Sequence, residues 1–168
     1  MISVLLADDH ILVRSSLERL LEQTDEIKVV GVVESGEAAL ELDARLEPDV
    51  ILMDISMPGL SGIETTRQIC ANRSDASVVM LTASTDRTQV LNALDAGAVG
   101  YLIKDSDPAT LIEGVLEAAR GNAPLDPRAA RALLDSRSSS THTMTARETE
   151  ELRSIADGLA GSEIPRRQ

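Results

Sequence analysis

The sequence contains no phenylalanine or tryptophan, and Tyr101 is its only aromatic residue. The hydrophobic core must therefore be built from aliphatic side chains and methionine. Hydrophobic residues make up 43% of the chain, which is enough for a packed core. Proteins that bind single-stranded nucleic acid by stacking its bases need several aromatic side chains, so this class of function is excluded.

Cysteine is also scarce, because Cys70 stands alone. Neither an intrachain disulfide nor a cysteine-rich zinc site can form, and this usage suits a reducing compartment. No apolar run approaches the roughly 18 residues of a membrane span, and Asp8 and Asp9 come too early for a signal peptide. We therefore expect a cytoplasmic protein without a membrane partner.

Positive charge is rare in the first 121 residues, which carry 9 Lys and Arg against 21 Asp and Glu. The remaining residues carry 7 of each sign, so the formal net charge of −12 arises entirely upstream. Such a surface repels nucleic acid and anionic membranes. It favours a metal ion as partner.

Five short apolar runs, rich in β-branched residues, predict strands buried on both faces of a parallel sheet. They are Ile2–Ala7, Ile27–Val33, Val50–Met53, Val78–Leu81 and Gly100–Ile103. Helical spacing follows each run, and helix starts are indicated by a capping box at Ser61 and Glu64 and by Asp107-Pro108. We predict an α/β fold of five βα units, a doubly wound, flavodoxin-like parallel sheet with strand order 2-1-3-4-5.

The composition changes after the fifth predicted helix. Two prolines and a serine-rich run are typical of a linker, which includes a brief helical stretch at Arg128–Leu134. Thr145 and Glu148 then form a capping box ahead of one amphipathic helix. The predicted organisation is a domain over residues 1–121, a linker over 122–143 and a partial helical segment over 144–168.

Three carboxylates follow the predicted strand ends: Asp8 and Asp9 after the first strand, and Asp54 after the third. The first and third strands are neighbours where the winding reverses, so these acids should converge there. Clustered carboxylates repel unless a divalent cation compensates, and Mg²⁺ prefers such oxygen ligands. Asp54 would be a nucleophile toward phosphorus and Asp9 would hold the metal. Taken singly, helix capping by Asp8 and Asp9 is the commoner interpretation.

Thr82 and Lys104 follow the fourth and fifth predicted strands at the same edge of the sheet. In-line transfer of a phosphoryl group to Asp54 requires charge compensation on the phosphoryl oxygens. One cation, one ammonium and one hydroxyl supply it. Either residue alone is unremarkable, and it is their co-occurrence with the acids that favours a phosphoryl site.

Five motifs in the first 121 residues form a set that is more specific than any one of them. They are Ala7-Asp8-Asp9-His10, Leu52–Gly59, Leu81-Thr82-Ala83, Ala96–Leu102 and Ile103-Lys104-Asp105. The set resembles the receiver domains of two-component response regulators. The resemblance implies that Asp54 accepts a phosphoryl group from the phosphohistidine of a sensor histidine kinase, without classical enzymatic turnover. It also implies Mg²⁺ on Asp9, Asp54 and the Ser56 backbone carbonyl, with Asp8 assisting through a water.

The resemblance further implies a switch formed by Thr82 and Tyr101. The phosphoryl group would draw in the Thr82 hydroxyl, and Tyr101 would turn inward, reshaping a surface used for homodimerisation. Asp105, where many receivers have proline, resembles the NarL/FixJ subfamily. His10 is expected to point outward, without a catalytic role.

That subfamily carries a LuxR-type helix-turn-helix, and residues 144–159 resemble its opening helix. The match ends after Ile164, and Pro165-Arg-Arg-Gln168 offers no recognition helix. We therefore expect control of transcription as the family function, but weak or absent DNA binding by this chain unless a complete helix-turn-helix is supplied.

Three other functions share parts of this pattern. A receiver could act only as a protein interaction module. A Mg²⁺-dependent phosphatase would need a second acid two residues after its nucleophile, where this chain has Ser56. A flavodoxin-like protein would bind FMN at this edge of the sheet, where Asp8 and Asp9 would repel the phosphate of the cofactor.

Overall fold

The computed structural model of the protein describes residues 1–134. Residues Met1–Ala132 form one compact unit. The predicted helix after Thr145, and the linker beyond residue 134, lie outside the described residues. Within the described part, no helix has the length and apolar character needed to cross a membrane.

Strands and helices alternate along the chain. The strands are β1 (Ile2–Ala7), β2 (Ile27–Val33), β3 (Val50–Met53), β4 (Val78–Thr82) and β5 (Gly100–Ile103). The helices are α1 (Ile11–Leu21), α2 (Gly36–Leu46), α3 (Gly62–Asn72), α4 (Arg87–Asp95) and α5 (Pro108–Ala119). A sixth helix, α6, begins at residue 127 and reaches residue 134, where a helical stretch was predicted. The strand predictions are confirmed, and β4 gains one residue because Thr82 pairs with Ile103.

The five strands are parallel and lie in the order β2-β1-β3-β4-β5, which confirms the predicted fold class. The order reverses between β1 and β3, so helices cover both faces of the sheet. Helices α1 and α5 share one core cluster with alternate residues of the strands. On the other face, the Thr66 hydroxyl of α3 contacts the Met80 sulfur at 3.5 Å. Every residue of β3, β4 and β5 is buried, which explains their uninterrupted apolar runs.

The predicted helix starts are correct in position and differ in detail. Ser61 caps α3, accepting from the Glu64 backbone N–H at 3.1 Å. Glu64 does not complete the capping box with its side chain, which instead accepts from Arg67 at 2.8 Å. Asp107 is the N-cap of α5, yet its carboxylate accepts from the Thr110 hydroxyl at 3.2 Å rather than from a backbone N–H. An exposed arginine can therefore bind the carboxylate that would otherwise complete a capping box.

Candidate functional site

The carboxyl ends of β1 and β3 are held level by the sheet. Ala7 pairs with Met53, and the backbone N–H of Asp54 donates to the Ala7 carbonyl at 2.9 Å. The two acids that follow these strands therefore emerge side by side. Ligand atoms of Asp8, Asp9, His10 and Asp54 all lie within 4.8 Å of one another. The structure thus brings the three predicted carboxylates together.

Lys104 places its ammonium inside this acidic group. Its backbone N–H donates to the Thr82 carbonyl at 2.8 Å, which fixes its position beside β4. The Nζ atom lies 2.7 Å from Asp8 Oδ2 and 3.3 Å from Asp54 Oδ1. Both carboxylates are buried, with 1% and 3% of their side-chain surfaces exposed. One positive charge therefore faces two buried negative charges, and a net negative charge remains.

The pKa of Asp54 reflects this excess of negative charge. Burial raises it most, the charge of Asp8 raises it further, and Lys104 together with a backbone hydrogen bond from Ser56 opposes them. The result is a pKa raised to about 6 from the ordinary value of 3.8. A carboxylate with this pKa is mostly ionised at neutral pH and more basic than an exposed aspartate.

The donor set fits a hard divalent cation. Asp54 Oδ2 is buried and has no hydrogen-bond partner among residues 1–134. Asp9 keeps a quarter of its side chain exposed, so an ion here would retain water ligands. Carboxylate oxygens together with water are the ligands that Mg²⁺ prefers, and no cysteine belongs to this group of the described residues to favour a softer metal.

His10 lies at the rim of the acidic cluster. It is the N-cap residue of α1, so the interpretation of Asp8 and Asp9 as helix caps is wrong. Asp8 Oδ1 instead accepts from the His10 backbone N–H at 2.9 Å. The His10 side chain is 62% exposed, as expected, but its Nδ1 also lies 3.1 Å from Asp9 Oδ1. The imidazole therefore contacts the site from outside.

Thr82 and Tyr101 are linked through one residue, Ser84. The Thr82 hydroxyl accepts from the Ser84 N–H at 3.3 Å, and the Tyr101 hydroxyl donates to the Ser84 carbonyl at 2.9 Å. Tyr101 is fully buried. Burial, and then the charge of Asp86, raises the pKa of its phenol to about 12. The Tyr101 ring thus lies inside the protein in this structure, with its hydroxyl held by Ser84.

Sequence reasoning missed several contacts around the site. The Arg14 guanidinium donates to the Asp8 carbonyl at 2.8 Å. Asp126 and Arg128, predicted as linker, bind the turn after Lys104. The sequence does signal the helix that carries Arg128, because Asp126 precedes a proline as Asp107 does, and this pattern starts a helix in both places.

Asp54→Asn is expected to stabilise the metal-free fold at neutral pH. The folded pKa of about 6 lies above 3.8, so the folded state holds the proton more tightly in that range. The contribution of this group to stability therefore falls as the pH rises from about 4 to about 6, and stays low above that. The full loss is on the order of 3 kcal/mol.

The measurement is urea unfolding of both proteins in EDTA at pH 4 and pH 7.5. The advantage of the asparagine variant should be small at pH 4 and approach its full size at pH 7.5. The same substitution at the exposed Asp25 is the control, and as a surface change it should alter the free energy of unfolding by about 0.5 kcal/mol or less. If the two proteins differ in free energy of unfolding by the same amount at both pH values, the raised pKa of Asp54 is contradicted.

Comparison with known proteins gives one consistent family. Residues 4–116 match the model of the response regulator receiver domain. The chain is 38% identical over 170 residues to the transcriptional regulatory protein LiaR of Bacillus subtilis, covering 98% of this chain and 81% of LiaR. It is 35% identical over 172 residues to the nitrate/nitrite response regulator protein NarL of Escherichia coli, covering 98% of this chain and 80% of NarL.

A solved structure shows the same fold. The crystal structure of a LuxR-family two-component response regulator from Aurantimonas superposes with a TM-score of 0.79 at 32% identity, covering 82% of this chain and 99% of that one. The chain therefore belongs to the response regulators of two-component signal transduction, and residues 4–116 are its receiver domain, of the NarL and LiaR type found in regulators of transcription.

Proposed function

We propose that Asp54 is the phosphoacceptor of this receiver and takes its phosphoryl group from the phosphohistidine of a sensor histidine kinase. One observation carries the proposal. The Asp54 carboxylate is buried beside Asp8, has Lys104 Nζ 3.3 Å from Oδ1, and has an Oδ2 with no hydrogen-bond partner in the part of the chain that the structure describes. A carboxylate with a raised pKa and a nearby ammonium is prepared both to attack phosphorus and to have the new charge balanced.

The transfer itself is a displacement at phosphorus. A carboxylate oxygen of Asp54 bonds to phosphorus as the bond to the imidazole nitrogen breaks, and the released electron pair stays on that nitrogen. The Lys104 ammonium and the Thr82 hydroxyl donate to the phosphoryl oxygens. The chain supplies positioning and charge, with at most slow self-phosphorylation and self-dephosphorylation, and it does not turn over an external substrate.

Mg²⁺ is the cofactor that suits this chemistry. Asp9, Asp54 and the Ser56 backbone carbonyl would hold it, with Asp8 binding through a water. When bound, the ion neutralises charge on the phosphoryl oxygens and on the clustered acids. Asp9 and Asp54 would supply the charged ligands, while Lys104, 2.7 Å from Asp8 Oδ2, would keep Asp8 from competing with its full negative charge.

The signal leaves the pocket through Thr82 and Tyr101. Both side chains bond the backbone of Ser84, so a movement of the Thr82 hydroxyl toward a phosphoryl oxygen would disturb the residue that also holds Tyr101. We place the output in a change of surface at α4 and β5 that alters homodimerisation. Direct DNA binding requires a complete helix-turn-helix.

Intact-mass measurement after incubation with acetyl phosphate and Mg²⁺ tests the proposal. We expect a single labile adduct of about 80 Da, absent when EDTA replaces Mg²⁺. Absence of any adduct under all conditions would refute the phosphoacceptor role. Hydrolysis of many equivalents of acetyl phosphate without an accumulating adduct would instead indicate a phosphatase.

A further inference from the structure

We propose that Asp126 and Arg128 are positioning residues that hold the turn after Lys104 in place for phosphoryl uptake. This inference rests on the proposed function, since it depends on Lys104 acting on the phosphoryl group. The two residues act through Asp105 and Ser106, which form the turn directly after Lys104. We call Asp105, Ser106, Asp126 and Arg128 the linker contact.

Backbone pairing brings the start of the linker to the edge of the sheet. The Tyr101 N–H donates to the Pro124 carbonyl at 2.9 Å, and the Asp126 N–H donates to the Tyr101 carbonyl at 2.9 Å. Tyr101 and Leu125 thus form a short parallel bridge. Because β5 is an edge strand, this bridge uses backbone groups that would otherwise be open. It also fixes Asp126 beside the end of β5.

The Asp126 carboxylate is the buried centre of the linker contact, with only 4% of the residue exposed. Oδ2 accepts from the Ser106 hydroxyl at 3.0 Å. Oδ1 accepts from the backbone N–H and the Nε of Arg128 at 2.8 and 3.1 Å. Burial alone would raise the pKa of Asp126, but these hydrogen bonds outweigh it and lower the pKa below its ordinary value. The carboxylate is therefore charged and tightly held.

Arg128 spans from the linker to the turn. Its Nη1 donates to Asp105 Oδ1 at 2.8 Å, and its Nη2 donates to the Ser106 hydroxyl at 3.1 Å. The exposed pair with Asp105 would be weak by itself. The planar guanidinium binds Asp105, Ser106 and Asp126 at once, which a lysine ammonium cannot reproduce. The turn is thus anchored at both of its residues by one side chain.

The conformation of this turn determines the position of the Lys104 side chain. The Ser106 N–H donates to the Ile103 carbonyl at 3.0 Å, which closes the turn around Lys104. Lys104 Nζ then reaches Asp8 Oδ2 at 2.7 Å. Loss of the linker contact would free the turn while leaving the acids untouched. A small displacement of the ammonium is enough to slow phosphoryl transfer, because its value depends on placement.

Phosphorylation kinetics of the full chain test the inference. Arg128→Ala should take up phosphoryl groups from acetyl phosphate about tenfold more slowly at saturating Mg²⁺. Its Mg²⁺ affinity, measured by calorimetry, should equal that of the wild type. Arg120→Ala is the matched control, since Arg120 is similarly exposed and its ion pair with Glu117, 2.7 Å long, lies at the far end of α5. The Arg120→Ala variant should keep the wild-type rate. Arg128→Lys should recover only part of the rate that Arg128→Ala loses.

A double-mutant cycle separates positioning from a general loss of structure. In a Lys104→Ala background, adding Arg128→Ala should cause no further slowing, because the group being positioned is gone. Equal slowing in both backgrounds, or a wild-type rate for Arg128→Ala, would overturn the inference. If that variant does not fold, Asp105→Ala makes the same test through an exposed residue. If the wild type forms the adduct and these substitutions do not change its rate, only the positioning role is refuted. If the wild type forms no adduct, the proposed function itself is refuted.

Discussion

Asp54→Asn should abolish the labile adduct formed with acetyl phosphate and Mg²⁺, lowering uptake by about a hundredfold or more. The asparagine amide has nearly the shape of the carboxylate but carries no charge, and its oxygen is a poor nucleophile. The neighbouring groups remain in place, including Lys104, which lies 3.3 Å from Asp54 Oδ1. Intact-mass spectra at several times after mixing measure the effect.

The matched control for this loss is Asp25→Asn, a substitution of the same chemistry at an exposed residue outside the site. It should form the adduct at the wild-type rate. An adduct of equal yield on the Asp54→Asn protein would show that another side chain is the acceptor. Because Asp54→Asn is also expected to raise stability at neutral pH, its loss of uptake could not be attributed to unfolding.

Two opposite effects of a single substitution follow from one cause. The pocket gathers more negative charge than Lys104 balances, which makes Asp54 costly to ionise. Under the proposed function, the same excess of charge attracts the cation and makes the carboxylate a better nucleophile toward phosphorus. Stability is reduced where the function needs reactivity, which is a general feature of active sites. Relief of that cost in a non-phosphorylatable variant is therefore a signature of the site.

The sheet could be predicted from the sequence because each of its inner strands is covered on both faces. Burial on both sides leaves no polar alternation, so β3 and β4 appear as plain apolar runs. The order of the strands then determines which strand ends are neighbours. Since parallel strands bring their carboxyl ends to one edge, the positions of Asp8, Asp54 and Lys104 followed from topology alone.

Contacts that depend on side-chain competition could not be predicted in this way. The Glu64 carboxylate could accept a hydrogen bond either from the backbone N–H of the N-cap residue Ser61 or from the Arg67 guanidinium. In the structure it accepts from the exposed Arg67. The linker shows the same limit at longer range. Residues 124–126 carry no apolar pattern, and they pair with β5 through backbone groups whose position depends on where α5 ends. No local signal in the sequence encodes such a pairing.

Gly62→Ala should destabilise the fold by about 3 kcal/mol or more and slow phosphoryl uptake as well. Gly62 is the first residue of α3, where alanine normally favours a helix. Here an added Cβ would overlap the carbonyl oxygen of Asp54 and lie 2.9 Å from the Ile55 Cα. Because these are backbone atoms, relief requires α3 or the backbone at Asp54 and Ile55 to shift, and either shift disturbs the placement of the Asp54 carboxylate.

Gly121→Ala provides the matched comparison for that prediction, measured by urea unfolding and by the rate of adduct formation. Gly121 has a φ of +89° with nothing within 4 Å of an added Cβ. Its substitution should therefore cost only the backbone term of about 1 kcal/mol and leave uptake unchanged. The two substitutions distinguish two reasons why a position requires glycine. At Gly121 the reason is the backbone conformation, and at Gly62 it is the close approach of the Asp54 backbone. A Gly62→Ala protein as stable and as reactive as the wild type would show that α3 does not hold the backbone at Asp54 and Ile55 in place.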